Sequence, residues 1–213
     1  MTEVLPAGRR ERKKQRTREA LVDAAFALFA EKGFDATTVE EIADAVDVSS
    51  RTFFRYFASK EDVALTFQEE QLRVVHEAFA ARPADEPVIT ALRRAMVSTV
   101  RACEHGELGF DAGRFTCMIE LTERSDALMA GSLEHAQRKQ AEITAAVAAR
   151  LGADPATDIR PHVITTTVMS AFHAAAEYVR STGAGLSLSD ALDEAFAVLE
   201  GGLNLPSAPP PAG

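Results

Sequence analysis

The sequence of 213 residues contains no tryptophan, two tyrosines and two cysteines. Two cysteines, Cys103 and Cys117, are too few for a disulfide-dense scaffold and are typical of a reducing compartment. No stretch approaches the roughly 18 consecutive apolar residues that a transmembrane helix needs. The N-terminus has no apolar segment behind a charged start, so a secretory signal peptide is not expected. These absences predict a cytoplasmic protein that does not enter a membrane.

Motifs of catalysis and metal binding are also missing. The sequence has no H-E-x-x-H, E-x-x-H, G-x-S-x-G, P-loop or G-x-G-x-x-G motif. The spacing of Cys103 and His105 is not that of a zinc site. We therefore expect no enzyme, no metal and no cofactor. An enzyme whose site is assembled from scattered residues stays an alternative, and turnover of a bound ligand would identify it.

Charge is distributed unevenly along this acidic chain, whose net charge is −9. Residues 1–60 hold 11 of the 23 basic residues but only 10 of the 32 acidic ones. The segment 9–18, RRERKKQRTR, carries seven basic residues and one acidic residue. A protein of this kind cannot coat nucleic acid generally, but it can present one basic face to it.

Apolar residues recur with helical spacing along most of the chain, and no alternating segment predicts a strand. The pattern predicts an all-α fold of about nine helices, with a Pro-rich tail that lacks regular structure. The first predicted helix begins between Arg10 and Thr17 and ends at Lys32. The others cover about residues 39–46, 50–57, 59–82, 88–105, 111–123, 126–151, 159–182 and 189–201. We predict a basic flexible arm at 1–17, a DNA-binding domain at 18–63, a ligand-binding and dimerisation domain at 64–203, and a disordered tail at 204–213.

Residues 34–62 have the pattern of two short helices joined by a tight turn. Thr38 and Glu41 form a capping-box pair, and Ser49 is a candidate N-cap for the second helix. Phe53 and Phe57, four residues apart, are expected to anchor that helix to the core. The remaining positions carry hydroxyls, guanidinium groups and a phenol, which suit bases and phosphates. This division of labour indicates a helix-turn-helix that reads DNA through its second helix.

These residues resemble the TetR family of bacterial repressors. The resemblance rests on the basic arm, on TTVEEIA at 37–43, on Val48-Ser49, and on TFFRYF at 52–57 followed by Ser59-Lys60. It implies a homodimer that pairs through helices 8 and 9 and binds a palindromic operator on double-stranded DNA. The family often has tyrosine where Phe54 stands and glycine where Asp47 stands. Aspartate tolerates the left-handed conformation better than most residues.

The resemblance also implies which residues contact DNA. Thr38 would cap helix 2 so that its start meets a phosphate, and Lys60 at the start of helix 4 would meet the DNA backbone. The complete predicted set is Thr37, Thr38, Ser49, Ser50, Arg51, Thr52, Phe54, Arg55, Tyr56 and Lys60.

The C-terminal region is predicted to bind a hydrophobic or acyl-type small molecule. Methionine and phenylalanine on helices 5–8 suit an adaptable apolar cavity. The candidate ligand-binding residues are Met96, Val100, Cys103, Phe110, Phe115, Met118, Met169, Phe172 and His173. A weaker resemblance of helix 3 and of residues 115–121 to an acyl-CoA-sensing branch of the family suggests an acyl-CoA effector. A helical acyl carrier without DNA binding is the alternative, although a carrier has no need of Arg51, Arg55 and Lys60 beside a basic arm.

Overall fold

The computed structural model describes residues 8–182 and 185–203. Within these residues the chain forms nine α-helices and no strand, as the sequence predicts. The helices are α1 (Arg9–Lys32), α2 (Val39–Asp44), α3 (Ser50–Phe53), α4 (Lys60–Ala80), α5 (Val88–His105), α6 (Ala112–Arg124), α7 (Asp126–Leu151), α8 (Arg160–Thr182) and α9 (Leu188–Gly201). No helix of this described part is long and apolar enough to cross a bilayer.

The observed helices differ from the predicted ones mainly near the N-terminus. α1 begins at Arg9, so residues 9–17 of the predicted arm are helical, whereas residues 1–7 and the predicted tail 204–213 lie outside the described residues. α3 ends at Phe53 instead of Phe57, because the following N–H groups change partners. Those of Arg55 and Tyr56 bond carbonyls three residues back, which tightens the last turn.

The described residues fall into two compact units. Unit 1 contains residues 8–70 and 109–136, and unit 2 contains residues 71–108, 137–182 and 185–203. These units follow packing and differ from the functional division predicted at 18–63 and 64–203, since α6 packs in unit 1. Its apolar face joins the aromatic core there, with the ring of Phe115 6.2 Å from that of Phe67.

Phenylalanine dominates the core of unit 1. Phe26 and Phe29 of α1 pack edge to face, and Phe34 of the following loop lies 5.0 Å from Phe29. Phe53 is completely buried, and the centroid of the Phe57 ring lies 5.6 Å from the centroid of the Phe53 ring. Burial of several aromatic side chains stabilises this small unit, since each removes a large apolar area from water.

The core of unit 2 lies among α5, α8 and α9. Leu92, Val168, Leu192 and Phe196 are buried there. A guanidinium from Arg93 on α5 forms two hydrogen bonds, of 2.7 and 2.8 Å, with the carboxylate of Asp193 on α9. This fork-to-fork pair fixes the register of the two helices as well as adding attraction between them.

Candidate nucleic-acid interface and ligand-binding residues

The start of α2 has the capping box that the sequence predicts. The Thr38 hydroxyl accepts from the Glu41 backbone N–H, while the Glu41 carboxylate accepts from the Thr38 backbone N–H at 2.9 Å. The ammonium of Lys32 also pairs with Glu41. Lys32 first, and then Thr38, lower the pKa of Glu41 to about 2. Because the folded-state pKa is lowered, the stabilisation from this charge is present above the unfolded pKa and is lost as the pH falls towards 2.

Thr37 lies behind this surface. Its side chain is 1% exposed, and its hydroxyl donates to the Gly33 carbonyl at 2.8 Å. The structure thus gives Thr37 a role in shaping the loop at 33–38, and its hydroxyl does not face solvent as a direct DNA contact would.

The turn between α2 and α3 contains Asp47, which has a φ of 55°. This is the left-handed conformation, which aspartate tolerates better than most residues and can therefore adopt in place of glycine, as predicted. The turn closes when the Val48 N–H donates to the Ala43 carbonyl at 3.0 Å.

α3 separates anchoring side chains from exposed ones as predicted. Ser49 caps the helix by accepting from the Thr52 N–H at 3.2 Å. Phe53 and Phe57 are buried, whereas Phe54 is 56% exposed. Arg51 and Arg55 are exposed, and Ser50, Thr52 and Tyr56 are half-buried. The Arg55 guanidinium lies 5.1 Å from the Tyr56 ring centroid and donates to its hydroxyl at 3.4 Å, so these two side chains already point together.

Basic side chains on α1 add to those of α3. Arg18 of α1 lies 5.1 Å from the Phe57 ring centroid, and the side chains of residues 9–16 are all exposed. Two turns of basic helix therefore precede the helix-turn-helix. Lys60 differs from this pattern, because its ammonium donates to backbone carbonyls of unit 1.

The predicted ligand-binding residues are divided between the two units. Unit 1 holds Phe110, Phe115 and Met118, and unit 2 holds Met96, Val100, Cys103, Met169, Phe172 and His173. The three on α5 and the three in unit 1 are buried. Met169 and Phe172 are half-buried and His173 is exposed, because Val168, Ala171 and Ala175 occupy the inward face of α8.

Two polar groups of unit 2 lie at or beside these positions, on Cys103 and Thr165. The Cys103 thiol accepts from Gln71 at 3.2 Å, and burial raises its pKa to about 11, so it stays neutral. Thr165 was missed. It is completely buried, and its hydroxyl has no hydrogen-bond partner among the described residues. The sequence could have indicated that Thr165 is buried, because it lies three residues before Val168 and therefore on the same face of α8. Thr166 lies two residues before Val168 and faces elsewhere.

The side chain of Arg114, at the start of α6, makes its contacts inside unit 1. Its guanidinium pairs with Asp23 of α1 and lies 5.8 Å from the Phe26 ring centroid. At the other end of α6, the Ser125 hydroxyl donates to the Asp35 carboxylate at 3.1 Å. Together these contacts fasten both ends of α6 within unit 1.

A groove of about 820 Å³ runs along unit 1, between the end of α1 with its following loop and α6. Cys117 and Glu120 line it, and it contains none of the nine predicted ligand-binding residues. In the described part of the chain, no group of three or more His, Cys, Asp and Glu side chains is arranged to hold a metal ion.

Comparison with known proteins identifies related sequences and folds. Residues 21–66 match the family described as "Bacterial regulatory proteins, tetR family", and residues 86–204 match the "MftR C-terminal domain". The HTH-type transcriptional regulator TcmR of Streptomyces glaucescens is 41% identical over 162 residues, which cover 74% of this chain and 70% of TcmR.

Two solved structures share the fold. FadR of Thermus thermophilus, a TetR-family repressor in complex with lauroyl-CoA, has a TM-score of 0.56 and 22% identity, covering 92% of this chain and all of FadR. SmeT in complex with triclosan has a TM-score of 0.60 and 19% identity, covering 86% of this chain and 91% of SmeT. The capped helix pair, its exposed basic face and these matches over both regions agree: the chain belongs to the TetR family of DNA-binding transcriptional regulators.

Proposed function

We propose that the protein is a repressor that binds a palindromic operator as a homodimer and is released by a hydrophobic or acyl-type small molecule. DNA binding is supported above all by the division of side chains at α3, where Phe53 is buried while Arg51 and Arg55 are exposed. We propose functional boundaries at 18–63 for DNA binding and at 64–203 for ligand binding and dimerisation, with 1–17 as a basic extension. A regulator of this kind acts on the chromosome, so we place it in the cytoplasm.

The proposed DNA contacts divide by chemistry. Arg51, Arg55 and Tyr56 offer donors to base edges and phosphates, while Ser49, Ser50 and Thr52 offer short hydroxyls. The helix start capped by Thr38 suits a phosphate, because its N–H groups and the helix dipole favour an anion. Phe54 can make an apolar contact, such as one with a thymine methyl group.

Dimerisation is proposed to use α8 and α9. Both helices keep an exposed strip of mainly small or apolar residues on the described surface. The strip contains Val163, Ser170, Ala174 and Tyr178 on α8, and Ala197, Val198 and Gly201 on α9. Small side chains let helices approach closely, and pairing of two such helix pairs forms a four-helix interface.

The proposed effector is hydrophobic because the candidate positions are rich in methionine and phenylalanine. FadR in complex with lauroyl-CoA and SmeT in complex with triclosan both share this fold, and both compounds are hydrophobic or acyl-type. A buried chain of eight to ten methylenes contributes about 6–8 kcal/mol before ordering costs. That energy switches the protein only if the ligand binds the conformation released from DNA more tightly than the DNA-binding conformation.

Operator binding should depend steeply on salt. Two-fold symmetry of the protein requires a palindromic site. With about four phosphates neutralised per subunit, the log–log slope should be about −7, and affinity should fall roughly 10⁴-fold between about 50 and 200 mM salt. Selection of bound sequences from genomic DNA, followed by titration at several salt concentrations, measures both. A slope near zero and no enriched palindrome would contradict operator binding, and would favour the helical carrier.

A medium or long acyl compound, free or as its CoA thioester, should change operator affinity at least tenfold. Met118→Asn and Phe172→Asn should weaken its binding, because an apolar ligand that covers an amide without offering it a hydrogen-bond partner loses about 1–3 kcal/mol. Calorimetry with fatty acids, acyl-CoAs and hydrophobic drugs measures the affinity, and Ile159→Asn, at an exposed apolar residue outside the candidate set, is the matched control. If only sugars, metals or polar amino acids bind, the effector class is wrong while operator binding stands. Product formation would instead indicate an enzyme.

A further inference from the structure

The side chain of Lys60, at the first position of α4, makes an unusual set of contacts. Its ammonium donates to the carbonyl of Phe34 at 2.7 Å, that of Thr37 at 3.0 Å and that of Asp35 at 3.3 Å. It also lies 4.5 Å from the centroid of the Phe34 ring. An ammonium has three N–H donors. These carbonyls therefore use all of them, and none is left for a phosphate.

The three carbonyls belong to the loop that joins α1 to α2. This loop is shaped by Gly33, whose φ is 86°, and by the hydrogen bond from the buried Thr37 hydroxyl to the Gly33 carbonyl. The Phe34 ring packs against Phe29 on its inner side. The contacts to the Phe34 and Thr37 carbonyls are half-buried, and Lys60 donates to them from a position 23 to 26 residues further along the chain.

This arrangement closes the helix-turn-helix at its base. Residues 38–59 contain α2, the turn and α3, and the two ends of this segment meet at Lys60. Lys60 therefore ties the start of α4 to the loop that precedes α2, and it acts beside the buried Phe53 and Phe57, which anchor α3. Alignment of a recognition helix decides which side chains reach base edges, so a small rotation removes several contacts together.

We propose that Lys60 is a positioning residue, which holds the helix-turn-helix in its DNA-binding geometry and does not itself contact phosphate. The proposal rests on the operator binding proposed above. It also replaces the DNA-backbone role that family resemblance assigns to this lysine. Arginine is a poor substitute, because its planar guanidinium cannot reproduce an ammonium surrounded by three carbonyls.

Lys60→Met and Lys60→Arg distinguish the two roles. We expect both variants to bind the operator at least tenfold more weakly than the wild type, with an unchanged salt slope. A phosphate contact predicts instead that Lys60→Arg binds almost normally, and that Lys60→Met has a slope shallower by about 1.8 per dimer. Lys139→Met, outside unit 1, controls for loss of one lysine. Unchanged operator affinity in folded Lys60→Met would also overturn the proposal.

Lysine labelling of the wild-type protein tests the proposal without relying on folded variants. Reductive methylation followed by mass spectrometry should modify Lys60 much more slowly than the exposed Lys13 and Lys14, and it should do so before any DNA is added. If Lys60 reacts as fast as those two and is protected only by operator DNA, it contacts phosphate. If Lys60 is labelled slowly but the protein binds no operator, the contacts of Lys60 with the three carbonyls stand while the proposed function is contradicted.

Discussion

Phe53→Ala is expected to destabilise the helix-turn-helix by about 3–5 kcal/mol and to abolish operator binding. The ring is completely buried, with Phe57 5.6 Å away. Truncation leaves a cavity at the base of α3, where the short helix has few other anchors. Chemical denaturation followed by circular dichroism measures the stability, and fluorescence anisotropy measures operator binding.

The next residue provides a matched control. Phe54→Ala removes the same ring from a side chain that is 56% exposed, so it should cost less than about 1 kcal/mol. Arg55→Ala should also leave stability unchanged, and it should weaken operator binding by about 1–3 kcal/mol per subunit. If Phe53→Ala and Arg55→Ala lower stability equally, the separation of anchoring and reading side chains on α3 is wrong.

Features of unit 1 that depend on near neighbours in the chain were predictable from the sequence. The Thr38–Glu41 box, the Ser49 cap and the left-handed Asp47 each involve residues at most three positions apart. Local spacing alone determines these contacts, because a cap or turn needs only its own few residues. The bounds of α7, at Asp126 and Leu151, were predictable for the same reason.

Contacts between distant segments were not predictable in this way. The partners of Lys60 are backbone carbonyls, which every residue possesses, so no residue type signals them. On α8, apolar and small residues occur on more than one face. Periodicity therefore does not decide that Ala171 turns inward while His173 turns to solvent. The assignment of α6 to unit 1 likewise depends on tertiary packing of Phe115 against Phe67.

Introducing arginine into the exposed strip of α8 and α9 should separate the dimer. Ala174 and Ala197 are exposed, so arginine fits each isolated subunit, but a two-fold interface would bring the new charges together without partners. Ala174→Arg with Ala197→Arg should run at half the wild-type mass in light scattering. Each monomer then holds one half-site, so operator affinity should fall by about 10²–10⁴-fold.

This pair of substitutions is a sharper test than removal of α9. Leu192 and Phe196 are completely buried, so deletion of α9 would open the core of unit 2 whether or not the protein dimerises. Ala145→Arg, at an exposed position of α7, adds the same side chain outside the strip and should leave the mass and the affinity unchanged. A double variant that stays dimeric and binds its operator normally would place the interface elsewhere, because two unpaired guanidinium groups per subunit cannot be buried in a close helix contact without large cost.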